Sequence, residues 1–216
     1  MTANPRRGRP AGLDRDAILD AAQARAESGG VDGVSMRGLA ADLGVSPMAV
    51  YRHFADKDTL LVAVLDRQVA SLRRPRLPAD PAARVVRLMA WLHSELESRP
   101  WVVDALTRGD MFAPRVLPTI EEVLAAFVAG GLTPRAAVVG YQACWRYIVG
   151  DLVIRHRSAA TAVRLDREPI QTASLRRPDP EVLPLLAATA SVWPGARAAH
   201  DIRIGLRALV GGLLDS

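Results

Sequence analysis

The stretch Ser35-Met-Arg-Gly-Leu-Ala-Ala-Asp-Leu-Gly44-Val-Ser46-Pro47-Met-Ala-Val-Tyr-Arg-His-Phe54 signals two short helices around one tight turn. Each boundary carries its own physical cue. Ser35 can cap the first helix by accepting a bond from its free amides, and Gly44 supplies the left-handed residue that ends it. Ser46 can cap the second helix, whose first position is Pro47 with its φ already fixed. Leu39, Ala40 and Leu43 on one helix, Val50 and Phe54 on the other, and Val45 between them would pack the helices together and onto a preceding one.

That packing leaves an outward face and helix start carrying Met48, Ala49, Tyr51, Arg52 and His53, with Lys57 just beyond. The mixture suits a groove-reading helix. It offers donors to phosphate and guanine and apolar groups to thymine methyls. An ordinary helical hairpin would share the glycine turn and the serine cap. The outward polar face, counted together with both, favours a DNA reader.

Working outward, the preceding helix starts at Asp14 as N-cap, with Leu13 and Ile18 able to staple across it, and stops at Gly29-Gly30. The following helix carries Leu60, Leu61, Val64, Leu65, Val69 and Leu72 until Arg73-Arg74-Pro75-Arg76-Leu77-Pro78 breaks the pattern. Further helices are predicted over 82–97, 101–108, 116–129, 134–156, 181–191 and 196–214. Between Arg157 and Pro180 the apolar pattern fades, and a long mobile loop is predicted there. No strand pattern occurs, so the predicted fold is all-α. Its organisation is a basic flexible arm over 1–12, a three-helix, helix-turn-helix DNA-binding head over 13–55, a connecting helix over 56–73 and a larger ligand-binding and dimerisation domain over 74–216.

The 216 residues are half hydrophobic and about a quarter charged, with net charge +5, which places the chain in the globular range. A positive balance suits a polyanionic partner. Yet Lys57 is the sole lysine, and an arginine- and alanine-rich composition could equally reflect GC-rich coding. The arm Arg6-Arg7-Gly8-Arg9 could reach phosphates or the minor groove, or serve only as a solvated tail. The longest apolar run, Val123 to Leu132, is too short and glycine-rich to span a bilayer, so no membrane partner is expected and the predicted location is the cytoplasm. Cys144, as the only cysteine, rules out an intramolecular disulfide.

Residues 14–65 resemble the DNA-binding head of the tetracycline-repressor (TetR) family. The resemblance rests on Leu39-Ala40, Leu43-Gly44-Val45, Val50-Tyr51-Arg52-His53-Phe54 and Lys57-Asp58-Thr59-Leu60-Leu61. It implies backbone contacts from Ser35, Met36 and Arg37, base and phosphate contacts from Pro47, Met48, Ala49, Tyr51, Arg52 and His53, and a phosphate contact from Lys57. Because Pro47, Met48 and Ala49 lack side-chain donors and acceptors, base readout would lean on Arg52 and on apolar contacts. Gly131-Leu132-Thr133-Pro134 and Ile204-Gly205-Leu206 through Gly212 resemble, more loosely, the family's C-terminal domain.

In the body, Ala137, Tyr141, Cys144 and Ile148 form one helical stripe and Val138, Trp145, Val149 and Leu152 another. That is more apolar surface than one core face requires. The last helix likewise sets Ile202, Leu206, Leu209 and Leu213 against Ile204, Ala208 and Gly211 on the opposite side. A two-fold homodimer is therefore expected, with Ile148, Leu152, Ile204, Ala208 and Gly211 at its interface. Trp91, Trp101, Phe127, Tyr141 and Trp145 could line a cavity for a small, largely apolar effector, although for any one of them core packing is the simpler reading. Asp151 and Arg155 read as an i,i+4 surface pair.

His53, His93, His156 and His200 are scattered along the sequence, and no zinc-hydrolase, phosphate-loop or nucleophile-elbow pattern occurs. No catalytic residue, metal or cofactor is expected. The predicted function is a transcriptional regulator, a repressor of an inverted-repeat operator on duplex DNA that a small ligand releases. A body that only dimerises or recruits another protein stays open as the alternative.

Overall fold

The computed structural model describes residues 13–109, 111–165 and 170–215. The basic arm over 1–12 lies outside them. Every regular element among the described residues is helical. They divide into two compact units, one formed by the described residues up to Arg73 together with Arg99–Pro118, the other by Arg74–Ser98 and the described residues from Thr119 on.

In the first unit, α1 (Arg15–Gly33) begins at Asp14, whose carboxylate accepts from the Asp16 amide, and breaks its helical geometry at Gly30, where φ is 66°. Helices α2 (Met36–Asp42) and α3 (Pro47–Tyr51) follow, then α4 (Lys57–Ser71), capped by the Asp56 carboxylate on the Thr59 amide. Ile18, Ala22 and Ala26 of α1, Leu39 and Ala40 of α2, Val50 and Phe54 at α3, and Leu60, Leu61 and Val64 of α4 make its core. α6 (Pro100–Thr107) packs on α1, and a 3-10 turn at Pro114–Val116 packs on α4. Two clamps hold this later segment. Arg108 pairs bidentately with Asp32 at 2.6 and 2.8 Å, and Arg115 binds Asp66 through its side chain at 2.7 Å and its backbone amide at 2.8 Å.

The second unit contains α5 (Pro81–Glu97), most of α7 (Leu117–Ala129), α8 (Pro134–Leu165), α9 (Ile170–Arg176), α10 (Pro184–Thr189), α11 (Trp193–Ala198) and α12 (Ile202–Leu214). α5, α8 and α12 pack on one another around Val85, Leu88, Met89, Ile148, Leu152 and Leu206. Gly205 of α12 leaves room for the Tyr147 phenol of α8, which a Cβ there would overlap.

Several expectations change here. The helix expected to end near His156 runs to Leu165, 32 residues or about 48 Å long. The fading of the apolar pattern after Arg157 marks a solvated stretch of helix and not a loop, because residues 157–161 are all exposed. α9 lies in the same stretch. The expected helix over 196–214 is broken between α11 and α12, where Asp201 caps α12 through the Arg203 amide. α4 ends at Ser71 and packs within the first unit, while residues 99–118, expected in the body, pack with the head.

Candidate functional site

The helix-turn-helix is built by its caps. Ser35 Oγ accepts from the Gly38 amide at 3.1 Å, and Gly44 turns the chain at φ 64° with Val45 donating back to the Ala40 carbonyl at 2.9 Å. Ser46 occupies the N-cap position of α3 without a side-chain capping bond. Arg25 of α1 donates to both carboxylate oxygens of Asp42, one at 2.9 Å, and to the Gly33 carbonyl at 3.2 Å, so it pins the end of α2 to α1. The Arg25 guanidinium holds the Asp42 carboxyl below its ordinary range, as Arg108 does for Asp32 and the Thr59 amide for Asp56. At the other end, the Arg15 guanidinium sits 4.7 Å over the Phe54 ring, which fixes the exit of α3.

On that frame the expected DNA contacts divide. Met48 is 68% exposed and Tyr51 45%, and Ser35, Arg37, Pro47, Arg52 and His53 are exposed as well; Lys57 is half-buried at the start of α4. Ala49 and Met36 are buried. The side chain of Ala49 packs inward beside Val50 and is removed from the reading face, and Met36 can meet a phosphate only through its backbone. In a helix of five residues the hydrophobic phase is too short to separate an outward alanine from an inward one.

In the second unit, Phe127 is fully buried, and α8 approaches it so closely at Gly140 that a Cβ there would stand 3.1 to 3.3 Å from the ring. Tyr141, next in sequence, is half-buried, and burial raises its phenol above the ordinary value. Trp145 and Trp91 are half-buried; Trp91 Nε1 is buried and has no acceptor among the described residues. Trp101 is buried on α6, in the first unit. Cys144 is buried, and burial pushes its thiol up to about 11, which leaves it un-ionised near neutrality.

Of the expected interface residues, Ile148 and Leu152 have no exposed area within the chain and belong to its core. They cannot meet a second subunit directly. Ile204, 61% exposed, and Ala208 lie on the outer side of α12, with Gly211 half-buried beside them. The outer side of α8 instead presents Val138, Val139 and Ile154.

A polar cluster escaped the sequence reading. Asp151 is not a surface residue paired only with Arg155. Its carboxylate meets buried His93 at 2.7 Å, Arg155 at 2.8 Å and His200 at 3.4 Å, while Arg155 also reaches Glu97 at 3.2 Å. His156 Nε2 donates to the Glu97 carbonyl at 3.0 Å. The histidines are far apart in sequence, and only the packing of α5, α8 and α12 brings them together. Among the described residues no cluster of His, Cys, Asp or Glu side chains is placed to hold a metal ion, and no helix is long and apolar enough to cross a membrane.

Residues 18–64 match the family described as bacterial regulatory proteins, tetR family. The HTH-type transcriptional repressor DrrR1 of Streptomyces coeruleorubidus is 31% identical over 148 residues, 68% of this chain and 55% of that protein. The repressor KstR of Mycobacterium tuberculosis is 33% identical over 104 residues, 46% of this chain and 47% of that protein. The chain thus spans about half the length of the curated relatives it matches. Among solved structures, apo ActR from Streptomyces coelicolor superposes with a TM-score of 0.75 at 21% identity, covering 95% of this chain and 96% of ActR. The matched head and the related repressors show residues 18–64 to be a DNA-binding head of the tetR family of bacterial regulatory proteins, and the chain shares the all-helical fold of ActR.

Proposed function

We propose that the chain is a transcriptional repressor that acts as a homodimer on an inverted-repeat operator and is released by a small, largely apolar ligand. The observation that carries the reading is the α2–α3 unit. A capped turn holds a short helix whose exposed side presents Met48, Tyr51, Arg52 and His53, with Arg37 and Lys57 flanking it. Arg52 reads a base, and Lys57 neutralises phosphate without regard to sequence. A dimer doubles the contacts when its reading helices stand about 34 to 36 Å apart, one turn of DNA. Ile204, Ala208 and Gly211 of α12 supply the subunit contact in this proposal.

Ligand release is supported by the aromatic residues of the second unit and by Trp91 Nε1, a buried donor that an acceptor on a ligand would satisfy. ActR has also been solved in complex with actinorhodin. The route to the head runs through residues 99–118, which lie in sequence between α5 and α7 yet pack on α1 and α4 through Arg108–Asp32 and Arg115–Asp66.

The test begins with selection of bound sequences from random duplex DNA. Arg52→Ala is expected to weaken the selected site by about 1 to 3 kcal/mol and to relax preference at one base pair, whereas Lys57→Ala weakens all sequences alike. Equal, sequence-independent losses for both variants would remove Arg52 from base reading. Ligand control is tested by reciprocity, because a ligand that weakens operator binding by some factor must itself be weakened by operator by the same factor.

A further inference from the structure

We propose that a groove between α5 and α12 is a binding site for a small organic anion, a carboxylate carried on an apolar body. The groove, open to solvent along its length, has a volume of about 690 Å³ and lies wholly within the second unit. None of the expected effector contacts Trp91, Phe127, Tyr141 and Trp145 lines it, so it is a site beyond the aromatic one.

Helical spacing builds its two walls. Ala83, Arg87 and Ala90 recur along one face of α5, and Arg203, Arg207 and Val210 along the facing side of α12, with Gly211 at the edge shared with the outer face and the stretch from Arg76 to Pro78 closing one end. That end is fixed in place by Arg84 Nε donating to the Pro78 carbonyl at 3.0 Å. The floor is apolar, with Val86 and Val210 buried beneath half-exposed Leu77 and Ala90.

The rim is cationic. Arg76, Arg87, Arg203 and Arg207 all border the groove, against the single carboxylate of Asp80. Asp80 is already engaged, since it caps α5 through the Ala83 amide at 2.7 Å. Arg203 reaches Asp201 at 3.4 Å, and no carboxylate among the described residues pairs with Arg76, Arg87 or Arg207. Arginine forks with open donors beside an apolar trough complement a ligand that is anionic at one end and greasy at the other. A volume of this size falls within the range of small-molecule sites, about 300 to 1,000 Å³.

Isothermal titration of the full chain with decanoate, decanol and acetate separates the contributions of head and tail. Decanoate should saturate one site per chain, with acetate and decanol each at least about tenfold weaker. Arg87→Glu with Arg207→Glu should lower decanoate affinity by about tenfold or more while leaving the thermal midpoint unchanged. Ala83→Phe, which obstructs the trough without touching a charge, should do the same and serves if the double variant fails to fold. Decanol binding as tightly as decanoate would overturn the proposal, as would a folded double variant with unchanged decanoate affinity. Sedimentation showing that the double variant loses self-association together with decanoate binding would assign the groove to a subunit contact and overturn it equally. Operator takes no part in the test, which therefore stands apart from ligand control of DNA binding.

Discussion

The helix-turn-helix head and the helical body are held by devices of different range. In the head, each short helix is delimited by residues a few positions away: Ser35 bonds the Gly38 amide, Gly44 reverses the chain, and Asp56 bonds the Thr59 amide. In the body, one carboxylate on α8 gathers His93 from 58 residues away and His200 from beyond α11, and the longest helix runs 32 residues. The head is thus a frame whose outward side chains can be exchanged without moving it, which is what a sequence reader needs. The body is a set of faces that define one another. Under the proposed function, a ligand bound there would shift several elements at once.

The largest effect should separate the two sides of the body's helices. Ile148→Glu places a carboxylate where no surface is exposed and should cost more than about 4 kcal/mol, enough to unfold the body. Ile204→Glu, on the outer side of α12, should leave the monomer folded and split the proposed dimer. Denaturant unfolding and sedimentation of both variants check this. A folded Ile148→Glu, or an Ile204→Glu that stays dimeric with full operator affinity, would mean that the inner and outer faces are wrongly assigned.

Next in size is Asp151→Ala. It strips buried His93 of its partner and leaves Arg155 with only Glu97 and the His200 carbonyl, a loss of about 3 kcal/mol for breaking a mostly buried pair. Asp42→Ala, which breaks a comparable bidentate contact at the surface of the head, should cost much less. Unfolding midpoints of the two variants compare them, and equal losses would show that burial does not distinguish the two clusters.

These clusters also show where sequence reasoning reached and where it stopped. The caps, the Gly44 turn and the Val50–Phe54 core of the head were legible because their causes lie within a few residues. The burial of Met36 and Ala49 was not, since five- and seven-residue helices are too short for their phase to be read. On α8 both stripes are apolar, so periodicity could not say that Ile148 and Leu152 face inward. Polar residues after Arg157 read as loop although alanine and arginine favour helix. That Trp101 packs with the head, and that His93 and His200 meet at Asp151, depends on contacts between distant segments, which carry no local signal.

A smaller pair of changes sharpens the contrast with one and the same substitution. Gly44→Ala forces a side chain onto φ 64° where no atom lies within 4 Å, so the whole cost is backbone conformation, about 1 kcal/mol of destabilisation. Gly150→Ala, inside α8 with equally open surroundings and no unusual φ, should stabilise by a similar amount, about 1 kcal/mol, because alanine is the better helix former. Thermal midpoints should therefore move in opposite directions. A loss at both positions would show that Gly150 is kept for a contact made outside the chain, such as a subunit interface.

The smallest effect is electrostatic and belongs to the head. Arg25 holds the Asp42 carboxyl, and Arg108 the Asp32 carboxyl, below their ordinary range. For a carboxyl whose folded pKa lies below its unfolded one, the stabilisation is complete above the unfolded value, near 3.9, and is lost as pH falls through the folded value. Both pairs are open to solvent and screened by salt, so their contribution is slight and best seen at low ionic strength. The measurement is the difference in unfolding midpoint between the unmodified protein and Asp42→Asn or Asp32→Asn, followed from about pH 6 down to about pH 3. The unmodified protein should be the more stable at the upper end, with the gap closing as acid neutralises the carboxyls. Of the two, only Asp32→Asn loosens residues 99–118 from α1, so it alone should also weaken the ligand's effect on operator binding. A gap that stays constant with pH would assign both contacts to packing, and an unchanged ligand response in Asp32→Asn would remove the Arg108 clamp from the route between body and head.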